Sequence, residues 1–346
     1  MPSVAAGFGA VPHLNRKADT MDTFINFFNA AVLAGTPLLF GTSGEILTEK
    51  SGNLNLGVEG MMFMGAVSGL MSVFLLEMWL GVEIAGPLAV TLAILGAFIA
   101  GGFGALIYSV LVVTMKTQQN VTGLALTIFG VGFGNFFGEV AGRRSPTGFA
   151  AISSNARSGF ARLNIPILSD IPVLGPLFFS YNILVYLAII IAIVLAIFLN
   201  RTRLGLNLRA VGENPAAADA ASINVVRYKY LATCIGGGIC GLGGMYIAMV
   251  TTSGVWVHNS VLGFGWISVA LVIFATWSPR RALLGSLIFG GLTIMRFYMP
   301  MGIPMQIYGT FPYVATILVL IATSIRQRKE HNPPAHIGVN YFREER

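Results

Sequence analysis

Long uninterrupted apolar runs are the feature that most constrains how this chain can fold. They recur along almost all of the 346 residues, and only 10% of the residues are charged, against roughly 25% in an average soluble domain. Several runs exceed the roughly 18 residues that indicate a membrane-spanning helix. The runs are continuous rather than alternating, which favours helices over a barrel, because lipid requires every backbone group to be satisfied within its own segment. The pattern predicts an all-α, polytopic transmembrane helical bundle.

About nine apolar membrane segments are expected, some of them as broken helices. They cover residues 24–47, 56–76, 86–114, 121–140, 180–199, 230–252, 261–277, 282–299 and 307–325. These segments predict one membrane domain at 23–325, between a polar leader at 1–22 and a cytoplasmic tail at 326–346. Residues 205–225 form a loop within that domain.

The basic residues fall between spans and in the tail, although the net charge of +7 would also suit a nucleic-acid binder. Loops rich in Lys and Arg stay in the cytoplasm, so this distribution favours a multi-pass protein of the lipid bilayer that binds no nucleic acid. The loop between the fifth and sixth segments is predicted to be cytoplasmic. Its basic residues are Arg201, Arg203, Arg209, Arg227 and Lys229.

The stretch "SGNLNLGVEG", residues 51–60, is predicted to break the second apolar segment. Its glycines permit irregular backbone, and Asn53 and Asn55 offer partners to the backbone groups that the break frees. Glu59 is an acid at membrane depth, where an ionisable group marks a transport pathway or a paired structural group. Two interpretations stay open: a substrate site on a discontinuous helix, or a carboxylate that caps a helix N-terminus.

Two further polar or aromatic positions are candidates for the pathway. Asn120 and Thr122 open the fourth segment in "KTQQNVTG", where they either line a vestibule or solvate a loop. Trp266 offers an aromatic face to a flat or ring-shaped solute, or packs in the core. Small residues four apart, such as Gly236, Cys240 and Gly244, predict close helix packing.

No ATPase or hydrolase motif is present. None of the five lysines follows a glycine, so the sequence contains no Walker A motif. No H-E-x-x-H or G-x-S-x-G pattern occurs either. Within the loop, "VGENPAAADAA" predicts a short helix that begins at Asn214 and Pro215. Such a helix outside the bilayer suggests a docking site for another protein, with a plain connecting loop as the alternative.

Three stretches resemble the permease subunits of bacterial ABC importers for nucleosides and simple sugars, relatives of the ribose-type and branched-chain amino-acid permeases. They are "GEILTEKSGNLNLGVEGMMFMGA", "LRAVGENPAAADAASINVVRYKYLA" and "GFGWISVALVIFATWSPRRALLGSLIFG". The resemblance implies a cytoplasmic ABC ATPase, a second permease subunit that is homologous and non-identical, and an extracytoplasmic solute-binding protein. It also implies the bacterial inner membrane, with no enzyme activity or cofactor on this chain.

By the same resemblance, the loop forms a coupling helix that enters a groove on the ATPase. The residues assigned to it are Arg209, Gly212, Glu213, Asn214, Pro215 and Asp219. Two positions depart from the family: Ser222 stands where relatives often have glycine, and Ala275 with Thr276 replaces a common Gly-Arg.

The sequence therefore predicts an importer permease for a purine nucleoside or a related neutral solute. A pentose or another simple sugar is the alternative solute. An ion-coupled secondary transporter with Glu59 as its coupling carboxylate is a less favoured class, and an integral-membrane enzyme is disfavoured because no catalytic groups converge.

Overall fold

A computed structural model describes residues 16–163, 171, 174–298, 304–326 and 333–342 of the chain. Within these ranges the secondary structure is helical, with one isolated bridge between Ala151 and Val255. The leader expected at 1–22 lies outside the described residues up to residue 15, and α1 begins at Arg16. The helices are α1 (Arg16–Glu49), α2 (Val58–Leu80), α3 (Gly86–Ser109), α4 (Gln119–Arg144), α5 (Ser154–Ser158), α6 (Leu174–Phe178), α7 (Ile183–Arg201), α8 (Arg203–Glu213), α9 (Pro215–Ala220), α10 (Val225–Tyr246), α11 (Phe264–Phe274), α12 (Pro279–Tyr298), α13 (Met305–Tyr308) and α14 (Phe311–Arg326).

The predicted fold class is confirmed, whereas the count of about nine spans is loose. Six helices of the described chain are long and apolar enough to cross a bilayer. They run over Thr23–Glu49, Val58–Leu80, Gly86–Thr114, Gln119–Arg144, Ile183–Arg201 and Val225–Thr251, two of them ending in a π-helical turn. The last three expected segments correspond to α11, α12 and α14, of which α11 has 11 residues and α14 has 16.

Helix α10 is the centre of the bundle and packs on α1, α2 and α3 through glycines. A Cβ at Gly244 would lie 1.8 Å from the Met62 carbonyl oxygen, and a Cβ at Gly65 would lie 2.3 Å from the Cα of Gly241. Any side chain at these positions would force the helices apart. The buried Cys240 thiol donates to the Gly41 carbonyl at 3.4 Å, so the predicted small-residue packing of this helix is confirmed.

The stretch between α10 and α11 turns back into the bundle. At the end of the molecule opposite α8 and α9, the Trp256 N–H donates to the Ala150 carbonyl at 2.8 Å. The chain then continues without helix to Phe264, where α11 begins. With 11 residues, α11 is about 16 Å long, which is half the thickness of a bilayer core. Its first turn lies against the start of α2, since a Cβ at Gly265 would be 2.3 Å from the Cα of Glu59.

A short capped helix forms in the loop after α7, as the sequence predicts. Asn214 is its N-cap and accepts from the Ala217 N–H at 3.0 Å, and Pro215 is the first residue of α9. At the other end, the N–H groups of Ser222 and Ile223 donate to Asp219 and Ala218. This pair of bonds is a Schellman motif, which favours glycine at the position that Ser222 occupies.

Ser222 adopts a φ of 62°, a left-handed conformation that costs an L-residue roughly 1–2 kcal/mol. The glycine of relatives therefore has a conformational reason. At the second departure, Ala275 has a φ of −75° and needs no glycine, while Thr276 takes the positive φ of 48°. The Thr276 hydroxyl accepts from the Arg281 guanidinium, which ties this turn to α12.

The Ser222→Gly variant is expected to stabilise the end of α9. Glycine removes the left-handed penalty and loses part of that gain to its greater freedom in the unfolded chain, so a net gain of about 0.5 kcal/mol is expected. Amide hydrogen exchange of the Ile223 N–H in the purified protein should slow by about twofold. Ser222→Ala is the matched control, because it keeps the strain; equal exchange in all three proteins would contradict this explanation.

Candidate functional site

The break between α1 and α2 is irregular, and side chains from neighbouring helices satisfy its backbone. The Leu54 N–H donates to Gln119 Oε1 at 2.7 Å, and its carbonyl accepts from the Tyr108 hydroxyl at 2.5 Å. The Leu56 carbonyl accepts from Thr127 Oγ1 at 2.8 Å. These bonds fix the break to α3 and α4, so it is a built feature rather than a loose connection.

Buried amides and acids continue this network towards α1 and α10. Asn55 Nδ2 donates to Glu45 Oε2 at 3.1 Å, and Asn53 Nδ2 donates to Thr233 Oγ1 at 2.9 Å. One turn beyond Glu45, Glu49 accepts from the indole N–H of Trp277. Both acids are buried, and sequence analysis missed them, although two acids four residues apart in an apolar helix were a visible signal. Asn55 is therefore engaged within the protein.

Glu59 lies at the amino end of the half-helix α11. Its Oε2 accepts from the N–H of Gly263, the N-cap of α11, at 2.9 Å. A Cβ at Gly265 would lie 2.3 Å from the Cα of Glu59, so the two helix starts are in backbone contact. A carboxylate is stabilised by the unpaired N–H groups and the dipole at a helix N-terminus. This geometry is that of the capping alternative; contact between Glu59 and a solute stays a prediction.

Polar side chains also follow one exposed face of α4. Asn135 and Asn259 are bonded to each other twice, through Asn135 Nδ2 to Asn259 Oδ1 at 2.7 Å and through the Asn259 N–H to Asn135 Oδ1 at 3.1 Å. Further from α9, Glu139 pairs with His258 at 2.8 Å, and both side chains are about half exposed. Asn135 lies about 24 Å along α4 from its first residue.

Such a face is poorly suited to lipid, because polar groups at membrane depth face water or another protein surface. Trp266, in the first turn of α11, is 37% exposed. Sequence analysis selected Trp266 and missed Asn135, Glu139, His258 and Asn259. The spacing of four between Asn135 and Glu139 was the available signal.

The five residues predicted for the pathway lie in three places. Asn55 is in the break, and Glu59 and Trp266 meet at the start of α11. Asn120 is exposed at the first turn of α4, and the buried Thr122 hydroxyl donates to the Gln118 carbonyl at 2.8 Å. The structure thus brings two of the five together.

The residues predicted for coupling lie in the second half of α8, at the N-cap of α9 and in α9 itself. A Cβ at Gly212 would lie 2.4 Å from the Lys50 carbonyl oxygen, so the loop touches the break directly. Pro215 is buried, while Arg209, Glu213 and Asn214 are exposed. Burial lowers the pKa of the Lys50 ammonium, and the nearby Glu213 carboxylate partly opposes this shift. Asp219 accepts from the Tyr341 hydroxyl at 2.9 Å.

Lys229 departs from its expected place in the exposed loop. Helix α10 begins at Val225, so Lys229 belongs to its second turn and is 4% exposed. The positive charge of the described loop therefore comes from its arginines.

The matching family and the three relatives given below are all permease components of transport systems. Residues 26–321 match the protein family described as "Branched-chain amino acid transport system / permease component". The chain is 35% identical over 324 residues to a putative glucose ABC transporter permease of Haloferax volcanii, covering 86% of this chain and 91% of the relative. It is 34% identical over 318 residues to a nucleoside ABC transporter permease of Lactococcus lactis, covering 90% and 95%. A guanosine ABC transporter permease of Bacillus subtilis is 33% identical over 301 residues, covering 84% and 89%. No solved structure matches the chain.

The cap at the start of α11 gives a test of Glu59. Glu59→Ala leaves the partly buried Gly263 N–H without this acceptor, which costs about 1 kcal/mol, so the thermal unfolding midpoint in detergent should fall. Glu59→Gln keeps an acceptor oxygen and should stay close to the wild type. If Glu59→Ala unfolds at the wild-type temperature, the carboxylate does not stabilise α11.

Proposed function

Because the chain belongs to the branched-chain amino acid transport system / permease component family, we propose that it is the membrane-spanning subunit of an ABC importer for a nucleoside, with a purine nucleoside as first choice. Two of the three relatives above are named for nucleoside or guanosine transport. A simple sugar is the second candidate, favoured by the glucose permease. ATP hydrolysis belongs to a separate ATPase chain.

One observation carries the proposal: α9 is a separately capped helix that directly follows α8, and Gly212 at the end of α8 contacts the break between α1 and α2. Its inner side is buried at Pro215 and Ala218, while Ala217 and Ala220 face outward. Because these outward side chains are small, α9 could enter a narrow groove on a partner protein. An ATPase bound there would move α9, and the Gly212–Lys50 backbone contact would pass that movement to the end of α1.

The exposed face of α4 is proposed as one wall of the solute pathway. Asn135 and Asn259 offer amide groups to a neutral solute with hydroxyl or ring-nitrogen groups, and Trp266 offers an aromatic face. Glu139 and His258 lie nearer the outer mouth. Glu59 holds α11 in place and Asn55 holds the break, while Asn120 and Thr122 lie at the inner mouth of the same pathway.

The other wall is proposed to come from a second permease subunit, homologous and non-identical, across the inner membrane. A solute-binding protein would deliver the solute on the outer side. Exposed aromatic side chains on α4, among them Phe129, Phe136 and Phe137, suit a protein neighbour as well as lipid. Copurification of the chain with a second permease, an ATPase and a solute-binding protein from its native membrane tests this assembly.

Loss of the α9 cap should uncouple transport from ATP hydrolysis. Asn214→Ala removes the N-cap bond and Pro215→Ala frees the rigid start, so ATP-dependent guanosine uptake by the reconstituted complex should fall by about tenfold, within the range of typical coupling energies. Glu83→Ala, an exposed acid at the opposite end, is the control. Normal uptake with normal coupling in both α9 variants would reject the docking role.

The α4 face is tested by its amide pair. Asn135→Ala with Asn259→Ala should lower guanosine uptake by about tenfold or more, because two polar contacts to solute are removed, while the complex still assembles. Asn200→Ala is the matched control, since the Asn200 side chain donates within its own helix α7, to the Ala196 carbonyl at 2.8 Å. Unchanged uptake in the double variant would exclude the face from the pathway.

A further inference from the structure

The C-terminal segment 333–342, called here the strap, folds back against the end of the bundle that carries α9. Its first contacts are with the end of α8. The Ala335 N–H donates to Glu213 Oε2 at 3.2 Å, and the His336 N–H donates to the Gly212 carbonyl at 3.0 Å. Both partners belong to the proposed coupling loop, so the strap holds this loop through backbone groups.

The middle of the strap contacts the break between α1 and α2. The Gly338 N–H donates to the Gly52 carbonyl at 3.2 Å, and both glycines have positive φ angles, of 77° and 87°. Gly52 in turn lies against Gly212, since a Cβ at Gly52 would be 3.4 Å from the Gly212 Cα. Coupling loop, break and strap therefore meet at one point.

Asn340 extends the link to the start of α4. Its Nδ2 donates to the carbonyls of Lys116 and Thr117 at 2.7 and 3.1 Å, and its Oδ1 accepts from Gln119 Nε2 at 3.3 Å. The Oε1 atom of the same Gln119 side chain accepts from the Leu54 N–H at 2.7 Å. The side chains of Asn340 and Gln119 thus form a continuous chain of bonds from the strap into the break.

Tyr341 completes the strap at α9. Its hydroxyl donates to Asp219 Oδ2 at 2.9 Å, and its ring packs against the small apolar cluster of Val211, Ala218 and Val225. Contact is made from the inner side of α9. The outward residues Ala217 and Ala220 stay exposed, so the strap leaves the proposed ATPase-facing surface open.

We propose that the strap is a coupling element, in which Asn340 and Tyr341 act as positioning residues that make α9, the break and the start of α4 move together. This inference rests on the proposed function, because it takes α9 as the ATPase contact. The backbone contacts at Gly212 link the end of α8 to Lys50 and Gly52; the strap adds a direct link from the coupling loop to α4, whose face is the proposed pathway wall. A single side-chain hydrogen bond in such a link contributes about threefold to a coupling ratio.

The test uses the complete complex of both permeases, the ATPase and the solute-binding protein in vesicles, with guanosine as the probe. Guanosine taken up per ATP hydrolysed is measured for Tyr341→Phe, Asn340→Asp and the double variant. Tyr341→Phe keeps the ring and loses the bond to Asp219; Asn340→Asp keeps the shape and loses the donor to Lys116 and Thr117. Tyr186→Phe, which loses a bond to the Phe178 carbonyl away from the strap, is the control.

The ratio should fall about threefold in each single variant and about tenfold in the double variant, while ATP hydrolysis continues and the complex stays assembled. A purely structural strap would lower uptake and hydrolysis in proportion, together with the unfolding temperature, and that result would overturn the proposal. Faster uptake with tighter ATPase binding would also overturn it, because the strap would then compete with the ATPase. If wild-type uptake needs no ATP, the proposed function fails; if wild-type uptake is ATP-driven and the variants match it, only the strap proposal fails.

Discussion

Irregular backbone at membrane depth must find its hydrogen-bond partners inside the protein, and two such stretches organise this molecule. The first is the break after α1, whose Leu54 and Leu56 groups are bonded by Gln119, Tyr108 and Thr127. The second is the re-entrant stretch before α11, whose Gly263 N–H is bonded by Glu59. Each break is satisfied by side chains from other helices, so the breaks also fix how the helices are placed.

The two breaks have different roles in the proposed transport cycle. The break after α1 lies at the α9 end, where Gly212 contacts Lys50 and the strap contacts Gly52. The start of α11, which carries Trp266, lies against Glu59 at the start of α2. Because Glu59 is the first acid of α2 and the break directly precedes that helix, α2 connects the proposed site of ATPase contact to the proposed pathway.

Local structure with a strong backbone signal was predictable from the sequence. Long apolar runs predicted about nine membrane segments, of which six are helices long enough to span a bilayer. The Asn-Pro pair predicted the start of α9, and small residues four apart predicted the packing of α10. Side-chain partners distant in sequence were not predictable. Nothing local to "NLNLGVEG" indicates that Asn55 bonds to Glu45, or that Glu59 caps a helix about 200 residues later. The pairing of Asn135 with Asn259 was missed for the same reason, although the spacing of Asn135 and Glu139 marks one face of α4 in the sequence.

We propose that this permease works only with an ATPase that engages α9. The most direct measurement is guanosine uptake into vesicles that contain the chain and its partner permease, with and without the ATPase and ATP, in the presence of an ion gradient. We expect uptake only when the ATPase and ATP are both present. Uptake driven by the ion gradient alone, without the ATPase, would contradict it.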